Sequence, residues 1–105
     1  SILMAQSKLG SETKELLEQT LAIGIRDYGP DGDRTAIGRY NLGIFYRMLA
    51  EVQHTAEIRK ENLHLSESMI KEALRIYAKI FGPDDPRTIN ASSDLSMISS
   101  ELSEA

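Results

Sequence analysis

Apolar side chains recur at helical spacing in four successive stretches of this chain, separated by clusters of Gly, Pro and Asp or by a patch of charge. The first begins at Ser11, a suitable N-cap. Leu17, Leu21, Gly24 and Tyr28 follow at spacings of four, three and four, with Leu16, Thr20 and Ile23 alongside. This predicts an amphipathic helix of about five turns, preceded by a flexible polar lead over residues 1–10 that is a frayed end or a partial helix. Gly24 inside it costs about 1 kcal/mol relative to Ala, so a close helix contact is expected there. In the second stretch Ile37, Tyr40, Ile44 and Met48 form one stripe, while Leu42, Phe45, Tyr46, Leu49 and Val52 form another. A surface helix needs only one stripe, so this helix is expected to sit between neighbours or to face a partner.

From Gly43 to Gly82 no Gly or Pro intervenes, yet the chain must turn or form one helix of about 60 Å. The charged run from Glu57 to Asn62 interrupts the stripe, and Thr55 can cap a new helix with Glu57 in its first turn. Leu63, Ile70, Ala73 or Leu74, Tyr77 and Phe81 then resume the period. A last, Ser-rich helix from about Pro86 carries Ile89, Leu95, Met97, Ile98 and Leu102, and Ser103–Ala105 are expected to fray.

Two of the three breaks are copies of each other. Tyr28-Gly29-Pro30-Asp31-Gly32-Asp33-Arg34-Thr35 returns 53 positions later as Phe81-Gly82-Pro83-Asp84-Asp85-Pro86-Arg87-Thr88. Gly tolerates the left-handed backbone of a helix C-terminus, Pro forbids continuation, and Asp suits the N-cap of the next helix. Identity extends to Leu21/Leu74, Ile23/Ile76 and Leu42/Leu95 at the same period. A helix, sharp turn and helix repeated at a fixed interval is the pattern of a helical solenoid.

These residues resemble a tetratricopeptide repeat, in particular the longer variety of kinesin light chains, whose repeats are joined by a Gly-Pro-Asp-x-Pro turn. Leu42-Gly43 with Tyr46 is similar to the core of the repeat's first helix. Ala73-Leu74-Arg75-Ile76-Tyr77 running into Phe81-Gly82-Pro83 looks like the end of its second. Leu21-Ala22-Ile23 before Tyr28-Gly29-Pro30-Asp31 looks like the end of a preceding repeat, and Leu95-Ser96 falls where the next Leu-Gly pair would stand. Arg39 departs from the family's Trp. The repeat is also longer than the family's by about three helical turns, so both helices can lengthen without rotating their buried faces. If Gly43 faces Ser66, as the family's small residues do, the bend lies near His54-Thr55. The rival is a continuous helix that exchanges its second half with another chain. The resemblance thus implies an all-α fold over residues 11–105: antiparallel helical hairpins stacked as a short solenoid of about four helices.

Composition narrows the picture. The net charge is −4, with no concentrated basic stripe, which argues against nucleic acid as a partner. With no Cys there is neither a disulfide framework nor a thiolate metal site, and a cytoplasmic setting is the expectation. The uncharged stretch from Tyr40 to Tyr46 is too short to span a membrane. His54 and His64 are ten positions apart, wrong for two ligands on one helix face, and the Asp-rich turns lack the calcium-loop pattern. Ser66, Ser92, Ser93 and Ser96 have no His-Asp partners at an informative spacing, so neither catalysis nor a cofactor is expected.

The resemblance implies a scaffold whose first helices line a groove for a peptide or partner helix. Carried over residue by residue, that groove takes Ile37, Tyr40, Asn41, Ile44, Arg47 and Met48 from the second helix, and Asn90, Asp94 and Met97 from the last. Asn41 would bind a backbone amide and Arg47 an acidic side chain. The alternative makes Ile44 and Met48 inter-helix core and Arg47 a solvated charge. A second reading of the whole is a self-associating element, a homodimer through uncapped solenoid ends. A third is an accessory solenoid of a larger protein.

Overall fold

The computed structural model describes the backbone of residues 2–53 and 55–104, and side chains from Gly10 onward within those ranges. Four helices follow one another: α1 (Ile2–Tyr28), α2 (Asp33–Glu51), α3 (Ala56–Phe81) and α4 (Pro86–Glu104), with no strand among the described residues. Each packs chiefly against the next, most extensively α2 with α3 and least α1 with α2. The result is a slab of 43 × 32 × 19 Å. Its thinnest dimension is about two helix diameters.

The central hairpin is closed within the chain. Val52 and Gln53 donate to Leu49 and Ala50 carbonyls at 3.2 and 3.4 Å, tightening the end of α2. Thr55 then caps α3, its Oγ1 accepting from the Ile58 amide at 3.4 Å. The expected turn and cap are therefore found, with His54 outside the described residues, and the continuous exchanged helix is not what forms. The small-residue contact is found as well: Ser66 Oγ donates to the Gly43 carbonyl at 2.6 Å. A methyl group at Gly43 would come 2.5 Å from Ile70 Cγ1, so the two helices meet at backbone distance. Around this contact Ala36, Ala50, Leu63, Ile70, Ala73, Ile76, Tyr77, Ala91 and Ile98 make one core. Burying each of the Leu and Ile side chains stabilises by roughly 1.5–3 kcal/mol.

Both repeated corners turn through a left-handed glycine, φ being 80° at Gly29 and 89° at Gly82. Gly29 donates back to the Ile25 carbonyl at 2.9 Å and Gly82 to Ala78 at 3.1 Å, which ends the preceding helix. Gly24 packs as expected, its backbone placed so that a Cβ would lie 3.3 Å from Thr35 Cα.

Two expectations need correction. The backbone is already helical from Ile2, so Gly10 and Ser11 lie inside α1 and Ser11 caps nothing. A single Gly weakens a helix by only about 1 kcal/mol, and polar neighbours of good helix propensity carry the turn through. At the start of α2 the cap is Gly32, with no side-chain bond, while Asp33 sits in the first turn and accepts from the Arg34 amide at 2.8 Å. The reason is steric. A Cβ at residue 32 would stand 2.5 Å from the Tyr28 carbonyl oxygen, leaving no room for an Asp.

Candidate functional site

The repeat sets α2 and α4 side by side, and polar side chains two helical turns apart join them. Tyr40 and Arg47 lie seven residues apart on α2, as Asp94 and Glu101 do on α4, so each pair shares a face. The Tyr40 hydroxyl donates to Asp94 Oδ2. Arg47 Nη2 donates to Glu101 Oε1 at 3.2 Å, and its Nη1 lies 3.8 Å from Asp94 Oδ1. Burial, with the Asp94 carboxylate beside it, pushes the Tyr40 hydroxyl up to about 12, so it stays a donor at neutral pH. Tyr77 of α3 backs the seam, its ring centroid 6.2 Å from that of Tyr40.

This geometry divides the nine candidate groove residues. Tyr40, Arg47 and Asp94 belong to the seam, and Ile44 packs against the core. Arg47 is neither a solvated charge nor a free cation for a ligand: its side chain is 16% exposed and paired with two carboxylates of its own chain. Ile37, Met48 and Met97 are 43%, 60% and 48% exposed, and Asn41 and Asn90 are exposed too. Met48 is therefore not inter-helix core. The surface left beside the seam is apolar with amide groups, while the charge is spent within the protein.

Glu101 is the one member of the seam that the sequence alone does not single out. A signal for it exists in the offset: Tyr40 meets Asp94 and Arg47 meets Glu101, both 54 residues on. A search for complementary side chains near the repeat length finds both pairs together.

Outside the seam, two open clefts flank the stack. One, of about 330 Å³ between α1 and α2, is lined by Thr20, Ile23, Gly24, Asp27, Tyr28, Arg34, Ile37, Gly38 and Asn41. The other, of about 580 Å³ between α3 and α4, is lined by Leu74, Ala78, Pro83, Thr88, Ile89, Ser92, Ser93 and Ser96. On the surface Arg75 of α3 joins Asp31 of the first corner and Glu72, at 2.6 Å each, and holds both carboxyls below their ordinary range. Among the described residues no three His, Cys, Asp or Glu side chains cluster as a metal site would need. No described helix is long and apolar enough to cross a membrane. No protein-family model, no curated protein and no solved structure matches the chain.

Proposed function

We propose that this chain is a tetratricopeptide-like scaffold of the long-repeat, kinesin-light-chain-like variety, holding a peptide or partner helix along the face shared by α2 and α4. The observation that carries the reading is the division of that face. Tyr40, Arg47, Asp94 and Glu101 lock the two helices together, while Ile37, Asn41, Met48, Asn90 and Met97 stay open beside them. A rigid seam presenting exposed aliphatic side chains and amides suits an apolar ligand whose backbone needs hydrogen-bond partners. The internal repeat and the Gly43/Ser66 contact agree with the resemblance. A cytoplasmic setting fits the absence of Cys in the sequence.

Because Arg47 is engaged internally, the ligand needs no acidic anchor for it. The test is a peptide array, with extended and helical members, probed with the wild-type protein and with Asn41→Ala and Met97→Ala. Sequence-specific binding weakened roughly tenfold by each substitution, at unchanged helicity, supports the groove. An array with no binding above background, or binding that ignores both substitutions, overturns it.

A further inference from the structure

The 53-residue repeat relates surfaces as well as turns, since it carries α1 onto α3 and α2 onto α4. In the cleft between α1 and α2, Thr20, Ile23, Gly38 and Asn41 correspond to Ala73, Ile76, Ala91 and Asp94. In the second copy of the repeat that surface is covered. Ala73, Ile76 and Ala91 are 0% exposed, and α2 lies over them with Tyr40 bonded to Asp94. In the first copy Gly38 is buried against Leu21, but Thr20, Ile23 and Asn41 are exposed, Ile23 to 49%. The cleft thus has the shape of a seat for an α2-type helix.

At the opposite end the groove between α3 and α4 has the complementary vacancy. Its Leu74, Ile89 and Ser96 correspond to Leu21, Ala36 and Gly43. There α3 does the covering: Ala36 is 0% exposed and Gly43 lies under Ile70. Ile89, with no such cover, is 52% exposed. This groove is a seat for an α3-type helix.

By the same correspondence α4 is an α2-type helix and α1 is an α3-type helix. Each end of the stack therefore offers what the other end lacks. We infer that the protein associates head to tail, α4 of one copy seating in the α1–α2 cleft of the next while α1 of that next copy covers the α3–α4 groove of the first. The template for the joint is the packing of α2, α3 and α4 within one chain. Met97 takes the place of Ile44 in it, and Ser96 takes the place of Gly43, keeping the close approach of backbones that a large side chain would prevent. Ser93 and Ser100 stand where Tyr40 and Arg47 stand on α2, so the intermolecular seam lacks the two charged or aromatic anchors of the internal one. The association is accordingly reversible and dependent on concentration. Being heterologous, it leaves a free end after every addition, and growth stops only if the rotation closes a ring.

The inference rests on the repeat rather than on peptide binding, but the two surfaces share residues: Asn41 lines the α1–α2 cleft and Met97 enters the joint, so association and peptide binding compete. Its test uses the whole chain and two end-blocked variants at exposed positions outside the peptide face: Thr20→Arg with Ile23→Glu at one end, Ile89→Glu with Ser96→Arg at the other. Sedimentation velocity at rising concentration should show the wild type growing past a dimer, and each variant alone remaining monomeric. An equal mixture of the two variants should give a 1:1 complex that grows no further, because one good end of each remains. A wild type that is monomeric throughout overturns the proposal without recourse to any variant. So does a wild type that stops at two copies, a variant that associates as the wild type does, or a mixture that stays monomeric while circular dichroism shows both variants folded. Repeating the peptide array on a monomeric variant keeps the two readings separate.

Discussion

At Gly29 and at Gly82 the backbone turns at a similar positive φ, and the hydrogen bonds that follow run in the same register. Gly32 donates to the Gly29 carbonyl and Asp85 to Gly82 at 3.2 and 3.4 Å, then Ala36 to Gly32 and Ile89 to Asp85 at 3.0 Å each. The side chains around this shared frame differ. In the first corner Thr35 Oγ1 donates to the Gly29 carbonyl at 2.6 Å, and Arg34 lies 5.4 Å from the Tyr28 ring centroid. In the second, Asp85 accepts from the Arg87 amide and from its Nε and Nη2, all at 2.9 Å, and Arg87 stacks 3.4 Å over Phe81. The counterpart of Thr35 there, Thr88, has a buried hydroxyl without a hydrogen-bond partner. The reversal of the chain is thus made alike in both corners, through Gly and Pro, whereas the polar demands of the helix start are met in two different ways, each fitted to its own corner.

The largest effect should come from exchanging the two caps. Gly32→Asp installs the better capping residue but drives a Cβ to 2.5 Å from the Tyr28 carbonyl oxygen, and should destabilise by about 2–3 kcal/mol. The reverse exchange, Asp85→Gly, should cost only a few tenths of a kcal/mol. Urea unfolding of the two variants checks the asymmetry; equal losses would mean that the corners are as alike in packing as in backbone. Next, Gly29→Ala and Gly82→Ala should each lose about 1–2 kcal/mol, since both positions hold positive φ. A marked inequality between them would place the strain elsewhere in one corner.

The threonines should separate in sign. Thr35→Val removes a hydrogen bond and should cost about 1–2 kcal/mol, while Thr88→Val replaces an unpartnered buried hydroxyl and should be neutral or stabilising by up to about 1 kcal/mol. Thermal unfolding midpoints of the two variants give the comparison directly. The smallest effect concerns acid. Arg87 holds the Asp85 carboxyl down at about 2, against an ordinary value of 3.8. A carboxyl depressed in the folded state contributes stability above pH 3.8, and that contribution disappears as pH falls towards 2. The wild type should therefore lose a small increment over that window that Asp85→Asn lacks, and added salt should shrink it. Superimposable pH profiles of the two proteins would show that the pair adds nothing.

Much of this arrangement is legible in the residues because it is local. The corners, the Thr55 cap, the bend before it and the close approach at Gly24 each depend on a few adjacent side chains with one dominant physical role. The start of α1 is harder to read, since Gly10-Ser11 looks like punctuation but breaks nothing when the residues on either side favour the helix. Gly32 is misread for the opposite reason: its neighbour Asp33 advertises a cap, and only the approach to Tyr28 decides against it. For the groove residues, periodicity assigns a face but not a partner. Arg47 looks like surface charge because its carboxylates, Asp94 and Glu101, are on another helix and are found only by pairing across the repeat.

The unequal packing along the slab sets an order of assembly. The hairpin of α2 and α3 owns the richest interface, and every other helix is held chiefly by one neighbour. Such a chain can nucleate in the middle and grow outward, like a zipper opened from its centre. In native-state hydrogen exchange the amides around Gly43 and Ile70 should be the slowest to exchange, and those of α1 from Gly10 to Thr20 the first to reach deuterium.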